Sequence, residues 1–68
     1  MKAICDIIEI RSTTTICMAN VCGTVLPVEI PTLLLHNVIN DERFEWEMKE
    51  NGEIKAEDIT PYHGPDKL

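Results

Sequence analysis

The side chains best suited to hold a metal ion are Cys17, Cys22, His36 and His63, which together would form a Cys2His2 set. Zinc modules usually place their ligands in pairs two to four residues apart at each end of the site. Neither end of this set meets that spacing in full. The pattern therefore favours small thiols that pack as buried hydrophobic groups. We predict that the three cysteines, Cys5 included, hold no metal and form no disulfide.

Covalent or acid–base catalysis would need a cysteine or Ser12 beside a histidine, or two carboxylates paired in a cleft. The sequence has no strand–nucleophile–helix elbow and no glycine-rich loop before a helix. Its clustered carboxylates fall on a face predicted to be solvated, where neither member of a pair is desolvated. A chain of 68 residues buries only about 60% of its surface on folding, which leaves little room for a deep cleft. We predict a protein that is not an enzyme and carries no cofactor.

Acidic residues outnumber basic ones, and the excess lies in the second half of the chain. The net charge is −6. Residues 1–40 hold three acids against two bases, whereas residues 41–68 hold nine acids against four bases. Nucleic acid and anionic membrane surfaces repel such a chain. The charge fits a basic protein surface as partner, and it equally fits plain solubility.

The first residues, MKAICDIIEIR, lack the features of a targeting signal. Charged residues interrupt the apolar run, whereas a secretory signal needs about 7–15 continuous apolar residues and a membrane span needs about 20. An odd number of cysteines without an export signal indicates reduced thiols. We predict a cytoplasmic protein with no membrane segment.

The composition favours β-structure, because Ile, Val and Thr make up 19 of the 68 residues and β-branched side chains suit a pleated sheet. Residues 2–10 predict a first strand with a one-residue slip after Ile7, typical of a β-bulge. The slip would return Ile8 and Ile10 to the face of Ala3. A helix is the alternative for this segment, since its isoleucines are also spaced for one.

Two further strands are predicted at residues 13–19 and 24–30, joined by a turn. Pro27 has no N–H to complete a central ladder, so the third strand is predicted to be an edge strand or to carry a bulge. Pro31 and the leucines after it predict one or two turns of α- or 3-10 helix within residues 31–37.

The stretch NDERFEWEMKENGEIKAEDI alternates apolar and charged residues around an Asn-Gly pair. A two-residue hairpin loop at that pair would mix the two faces. A three-residue loop, residues 50–52, instead places Met48 opposite Ile54 and Trp46 opposite Ala56, with the loop glycine in the left-handed conformation. The pattern predicts a tight hairpin with Trp46 in the core.

The solvent face of this hairpin is predominantly acidic, although strand alternation requires only that it be polar. Lysine or threonine would serve the strand equally well, so we expect the acids to meet a basic patch on a partner protein. Ordinary solvated surface is the alternative. The candidate partner-binding residues are Asp41, Glu42, Glu45, Glu47, Glu50 and Glu53.

Together these segments predict one small domain at residues 1–62 and a flexible tail at residues 63–68. Five short, mainly antiparallel strands must curl to bury two apolar faces with so few residues. We therefore predict an all-β fold, a small, partly open barrel of the SH3-like or OB-like kind with one short helical turn.

Three segments of this chain resemble a group of short, uncharacterised bacterial β-barrel proteins, in which a strand, a Val-Pro…Leu-Leu segment and a Gly-Asp turn follow one another. Here Asn40 stands where the glycine of that turn would be expected. The resemblance covers residues 3 to about 48, and it implies the fold without bringing an activity or functional residues. The segments are Cys5-Asp6-Ile7-Ile8-Glu9, Ile30-Pro31-Thr32-Leu33-Leu34 and Asn40-Asp41-Glu42-Arg43-Phe44.

These observations predict a non-enzymatic protein-interaction module with an acidic hairpin face. One alternative is an acidic inhibitor or nucleic-acid mimic that occupies a basic site on a larger target. The other is a small nucleic-acid-binding barrel, which usually combines a basic groove with exposed stacking aromatics. Here Phe44 and Trp46 are predicted to face the core instead.

Overall fold

Segments rich in β-branched residues form the strands of one antiparallel, five-stranded sheet. The computed structural model describes residues 1–62, and the predicted tail at 63–68 lies outside the described residues. The strand order is β3-β2-β1-β4-β5, and the sheet does not close on itself. Besides the strands, the described chain has two 3-10 turns. The all-β prediction is confirmed, and the elements are β1 Lys2–Ile10, β2 Thr14–Val21, β3 Thr24–Pro31, a 3-10 turn Thr32–Leu35, β4 Arg43–Glu47, a 3-10 turn Ala56–Asp58 and β5 Ile59–Pro61.

The predicted β-bulge lies in the second half of β1. Ile7 pairs with Cys17 and Glu9 pairs with Ile16, so Ile8 is the extra residue. The prediction that Ile8 and Ile10 return to the core is wrong, because they are 59% and 53% exposed. The ladder between β1 and β4 covers only the first half of β1, up to Asp6. Beyond that point, no strand within residues 1–62 flanks β1 on the β4 side.

The β2–β3 turn consists of Cys22 and Gly23, whose φ values are 52° and 90°. Two positive φ angles in a two-residue loop are the mark of a type I′ turn, which matches the twist of the flanking strands. Asn20 supports the turn, because its Oδ1 accepts a hydrogen bond from the Gly23 N–H at 2.9 Å. Cys22 is exposed, so the prediction that all three cysteines are buried is wrong at this position.

Prolines lie on both edges of the sheet. β3 is an edge strand, as Pro27 predicted. Pro27 lies opposite Met18, and since it has no N–H its nitrogen must face away from β2. Pro31 lies four residues further along β3, so its nitrogen also points away from β2. The opposite edge, β5, is only three residues long and contains Pro61.

The core lies on the face of the sheet that the 3-10 turn Thr32–Leu35 and the loops cover. The fully buried side chains of β1 and β2 are small, whereas β4 contributes Phe44 and Trp46. Trp46 is 6% exposed, which confirms the prediction of a buried tryptophan. The core residues are Ala3, Cys5, Cys17, Ala19, Ile30, Leu35, Val38, Phe44, Trp46 and Ile59.

Two threonine hydroxyls anchor the first 3-10 turn to the sheet. Thr15 is fully buried, and its Oγ1 lies 2.8 Å from Thr32 Oγ1. The Thr32 hydroxyl donates to the Arg11 carbonyl at 2.7 Å. The proton between the two hydroxyls therefore comes from Thr15. Thr32 also donates its backbone N–H to the Thr13 carbonyl at 3.0 Å.

β4 pairs with β5 rather than with the residues just after the Asn-Gly turn, so the predicted tight hairpin is wrong. Trp46 lies opposite Ile59, not Ala56. The turn itself forms: Gly52 donates its N–H to the Lys49 carbonyl at 3.1 Å and has a φ of 80°. Ile59 buries more apolar surface against Trp46 than an alanine would, at about 0.8 kcal/mol per additional methylene.

The β4–β5 loop, residues 48–58, folds against the core instead of forming strands. Met48 and Ile54 both pack on the core cluster from this loop. Lys49 and Asp58 join its two ends, with Lys49 Nζ 3.3 Å from Asp58 Oδ1. The predicted pairing of Met48 with Ile54 across a ladder is therefore wrong, and each side chain packs on the core from the loop.

Candidate interaction surface

The acidic residues of β4 lie on the outer face of the sheet, opposite the core. Phe44 and Trp46 point inward, so Glu45 and Glu47 point outward by alternation. Glu45 lies opposite Ile4 of β1 on one side. The structure thus brings Glu45 and Glu47 together on one surface, as predicted.

Every lysine and arginine within residues 1–62 forms an ion pair with a nearby carboxylate. The shortest joins Arg43 Nε to Asp6 Oδ1 at 2.7 Å. All five pairs have at least one well-exposed member, so solvent screening makes each a minor contribution to stability. Their consequence is that no described cation presents an uncompensated positive charge. The pairs are Lys2–Glu45, Arg11–Glu9, Arg43–Asp6, Lys49–Asp58 and Lys55–Glu53.

The negative charge of the described chain is compensated only in part. Glu47 pairs with the amino group of Met1 at 2.9 Å. Three of the six predicted partner-binding acids, Glu45, Glu47 and Glu53, are thus ion-paired, and the other three are not. Within residues 1–62, the acids without an ion pair are Glu29, Asp41, Glu42, Glu50 and Glu57.

The predicted acidic residues do not form one continuous strand face, because the hairpin that would align them is absent. Asp41 and Glu42 lie just before β4, and the Glu42 carbonyl accepts a hydrogen bond from the Ile7 N–H beside the β1 bulge at 3.0 Å. Glu50 and Glu53 lie beyond the other end of β4 in the β4–β5 loop. Five strand residues separate the two groups, which at about 3.3 Å per residue amounts to roughly 20 Å.

Hydrogen bonds within the ion pairs fix the charge of several outer side chains. The hydrogen bond from the Met1 amino group lowers the pKa of Glu47. The bond from Arg11 likewise lowers the pKa of Glu9, and the bond to Glu45 raises the pKa of Lys2. These groups remain charged over the whole neutral range.

An apolar patch lies on the same outer face, over β1, β2 and β3. Ile16 and Met18 alternate with the inward residues of β2, and Met18 lies opposite Pro27. Ile4 and Val25 flank Asn20 in the next cross-strand row. We call the five residues Ile4, Ile16, Met18, Val25 and Pro27 the outer apolar patch. The outer apolar patch was not predicted from the sequence, although apolar residues on both faces of the strand TTICMANV indicate it.

The thiols have two different environments. Cys5 and Cys17 are fully buried, and burial raises the pKa of Cys5 to about 12 and that of Cys17 to about 11. Both are therefore neutral and unreactive near neutral pH. Cys22 is exposed in the type I′ turn, and none of the three forms a disulfide in the structure.

Other groups with chemical potential are dispersed over the described chain. His36 is exposed at the end of the first 3-10 turn, with Nδ1 3.4 Å from the Leu33 carbonyl. Residues 1–62 contain no group of three or more potential metal ligands, and His63 lies outside them. Trp46 Nε1 and Asp58 Oδ2 are buried without a protein hydrogen-bond partner. The helical segments described are too short to cross a membrane.

Comparison with protein-family models, with curated proteins and with solved structures finds no match to this chain. Any function must therefore be argued from the geometry of the surface.

Proposed function

We propose that this chain is a non-enzymatic interaction module that binds a basic surface of a partner protein through the acids around β4. The observation that carries the proposal is the charge balance of the described chain. Each lysine and arginine there is already paired, so the uncompensated charge is negative throughout. Such a surface attracts a basic protein and repels nucleic acid and anionic lipid. The three free thiols fit a reducing compartment, and the cytoplasm is part of the proposal.

The pairing pattern ranks the predicted acids. Asp41, Glu42 and Glu50 can meet a partner's lysine or arginine without breaking a bond within the chain. Glu45 and Glu47 must first release Lys2 and the Met1 amino group, and that exchange cancels much of the gain. The proposal therefore places the strongest charge contribution at the unpaired acids, with Glu45 and Glu47 as a secondary part of the surface.

Quantitative affinity purification with the full chain as bait, at low and at high salt, tests the proposal. Binding of the recovered partner is then measured with purified proteins for wild type, for the double variant Asp41→Lys/Glu42→Lys, and for the single variants Glu42→Lys and Glu57→Lys. Glu57 is the matched control, because it is also an exposed, unpaired glutamate but lies in the second 3-10 turn. Both single variants change the net charge equally.

We expect Glu42→Lys to slow association several-fold at low salt, with a larger effect for the double variant, while Glu57→Lys leaves the rate nearly unchanged. Charges at the rim of an interface act mainly on association rate and salt dependence. The difference should shrink near 1 M salt, where the Debye length is about 3 Å. Equal rates for all variants at low salt would show that these acids are ordinary solvated surface. Competition between this chain and duplex DNA for the same partner would instead support a nucleic-acid mimic.

A further inference from the structure

We infer that the outer apolar patch is a docking surface for a segment of a partner protein whose apolar residues are flanked by lysine or arginine. The inference rests on the proposed function and deepens it by naming the surface and the chemistry of the segment. The first observation is the side-chain pattern of β2. That strand is buried on one face by the core, yet its other face carries Ile16 and Met18 where a solvated strand would carry polar residues.

The pairing register shows that the patch is continuous. Met18 lies directly opposite Pro27 on β3, and Val25 precedes Pro27 on the same face. Ile4 of β1 lies opposite Asn20 of β2, which makes Met18 its diagonal neighbour and joins it to the patch. Directly opposite and diagonal neighbours on one sheet face are close enough for side-chain contact. Val25 is 52% exposed and Pro27 is also exposed, whereas Ile4, Ile16 and Met18 are partly buried, so the patch stays partly open to solvent.

Charges surround this patch, and their balance is negative. Lys2–Glu45, Arg43–Asp6 and Arg11–Glu9 form neutral pairs along the β1 side. Glu29, opposite Ile16 on β3, forms no ion pair within residues 1–62. A segment with apolar residues in the middle and a cation at its end would therefore place that cation beside Glu29, which matches the usual apolar centre and polar rim of an interface.

The prolines determine how such a segment can bind. Addition of a strand to the sheet requires outward N–H groups along an edge. Pro27 and Pro31 remove two of these groups from β3, and the other edge, β5, is three residues long and contains Pro61. A full strand therefore cannot add at either edge, and the part of β1 after Asp6 that β4 leaves unflanked is short. The segment lies on the face of the sheet and binds through side chains. A second copy of this chain fits less well, because each lysine and arginine within residues 1–62 is already ion-paired and none is free to meet Glu29.

A pair of adjacent residues on β3 provides a sharp test. Val25 and Leu26 are 52% and 48% exposed, but Val25 lies on the outer face opposite Asn20 and Leu26 lies on the inner face opposite Ala19. The variants Val25→Ser and Leu26→Ser thus remove similar exposed apolar groups from opposite faces of one strand. Binding is measured for the partner recovered by affinity purification and for a synthetic peptide with a leucine centre and lysine ends. A matched peptide with glutamate ends is the control.

We expect Val25→Ser to weaken both interactions about fivefold, which corresponds to about 1 kcal/mol, and Leu26→Ser to change them less than twofold. The lysine peptide should shift the amide resonances of Ile16, Met18 and Val25, and the glutamate peptide should not. Equal losses for the two variants, or shifts centred on Ile8 and Leu33, would place binding elsewhere and overturn the inference. If Glu42→Lys weakens the partner but Val25→Ser does not, the proposed function stands and this inference fails.

Discussion

Replacing Thr32 with valine should destabilise the fold more than replacing Thr15 with valine, although the two hydroxyls share one hydrogen bond. Thr15 is the buried donor of that bond and Thr32 is its acceptor. Thr32→Val leaves the buried Thr15 hydroxyl without its partner, and an unsatisfied buried group costs about 1–3 kcal/mol. Thr15→Val removes the donor, and Thr32 keeps its bond to the Arg11 carbonyl. That change should cost at most about 1 kcal/mol.

The double variant Thr15→Val/Thr32→Val separates this explanation from simple loss of packing. No buried hydroxyl is left unsatisfied in it, so its cost should be lower than the sum of the two single costs by about 1 kcal/mol or more. Urea unfolding monitored by the fluorescence of the single tryptophan, Trp46, measures all three variants. A domain of this size has a total stability of roughly 3–10 kcal/mol, so these differences are readily measured. Additive costs, or a larger cost for Thr15→Val, would refute the assigned direction of the hydrogen bond.

Four more predictions concern the core and the turns. Cys22→Asn should raise the free energy of unfolding by roughly 0.5 kcal/mol, because Asn-Gly is the preferred type I′ pair, and a lower urea midpoint would contradict this. A maleimide should label Cys22 alone in the native chain, because Cys5 and Cys17 are buried; labelling of all three at equal rates would contradict that burial. Burial raises the pKa of the Cys5 and Cys17 thiols, so their contribution to stability is fully present below pH 9. Between pH 9 and 11 the free energy of unfolding should fall by about 1.4 kcal/mol per pH unit and per thiol. Chemical denaturation across that range tests this. Trp46→Ala should cost about 3–5 kcal/mol, enough to unfold much of the population, as circular dichroism would show.

Local sequence signals were sufficient for the first three strands. The structure confirms three features that depend only on neighbouring residues. They are the slip after Ile7, the edge position of the strand that contains Pro27, and the short helical turn that ends at Leu35. The exposed positions of Ile8 and Ile10 depend on where β4 ends against β1. The end of that ladder is a contact between segments that are distant in the sequence, and the periodicity of a single strand does not predict it.

The β4–β5 region shows the opposite case, in which a correct local signal gave a wrong pairing. The Asn-Gly turn forms with Gly52 at positive φ, yet the ladder does not continue from it. The register with Ala56 opposite Trp46 satisfied the alternation, but Ile59 provides a larger buried partner. The acidic positions were therefore identified correctly as solvent-facing, whereas their alignment on one hairpin face was wrong. The resemblance to SH3-like or OB-like proteins stays a prediction, since no comparison tests it.

The strand order also determines the sequence in which the chain can fold. β1, β2 and β3 are joined by short turns, and such hairpins form within about 1–10 μs. β4 must instead pair with β1 across a long segment, since Asp6 and Arg43 are 37 residues apart, and closing so long a loop costs more conformational entropy. The three-stranded meander should therefore form first, and β4 should dock later with Phe44 and Trp46.

Until β4 docks, the edge of β1 at Lys2–Asp6 is open and contains no proline. The finished sheet has proline on both of its edges, but this intermediate does not. Its exposed N–H and C=O groups form a template for pairing with other chains. Aggregation during refolding should therefore increase when β4 docking is slowed. It should fall when Ala3 or Cys5, whose N–H groups face β4, is replaced by proline at the cost of native stability.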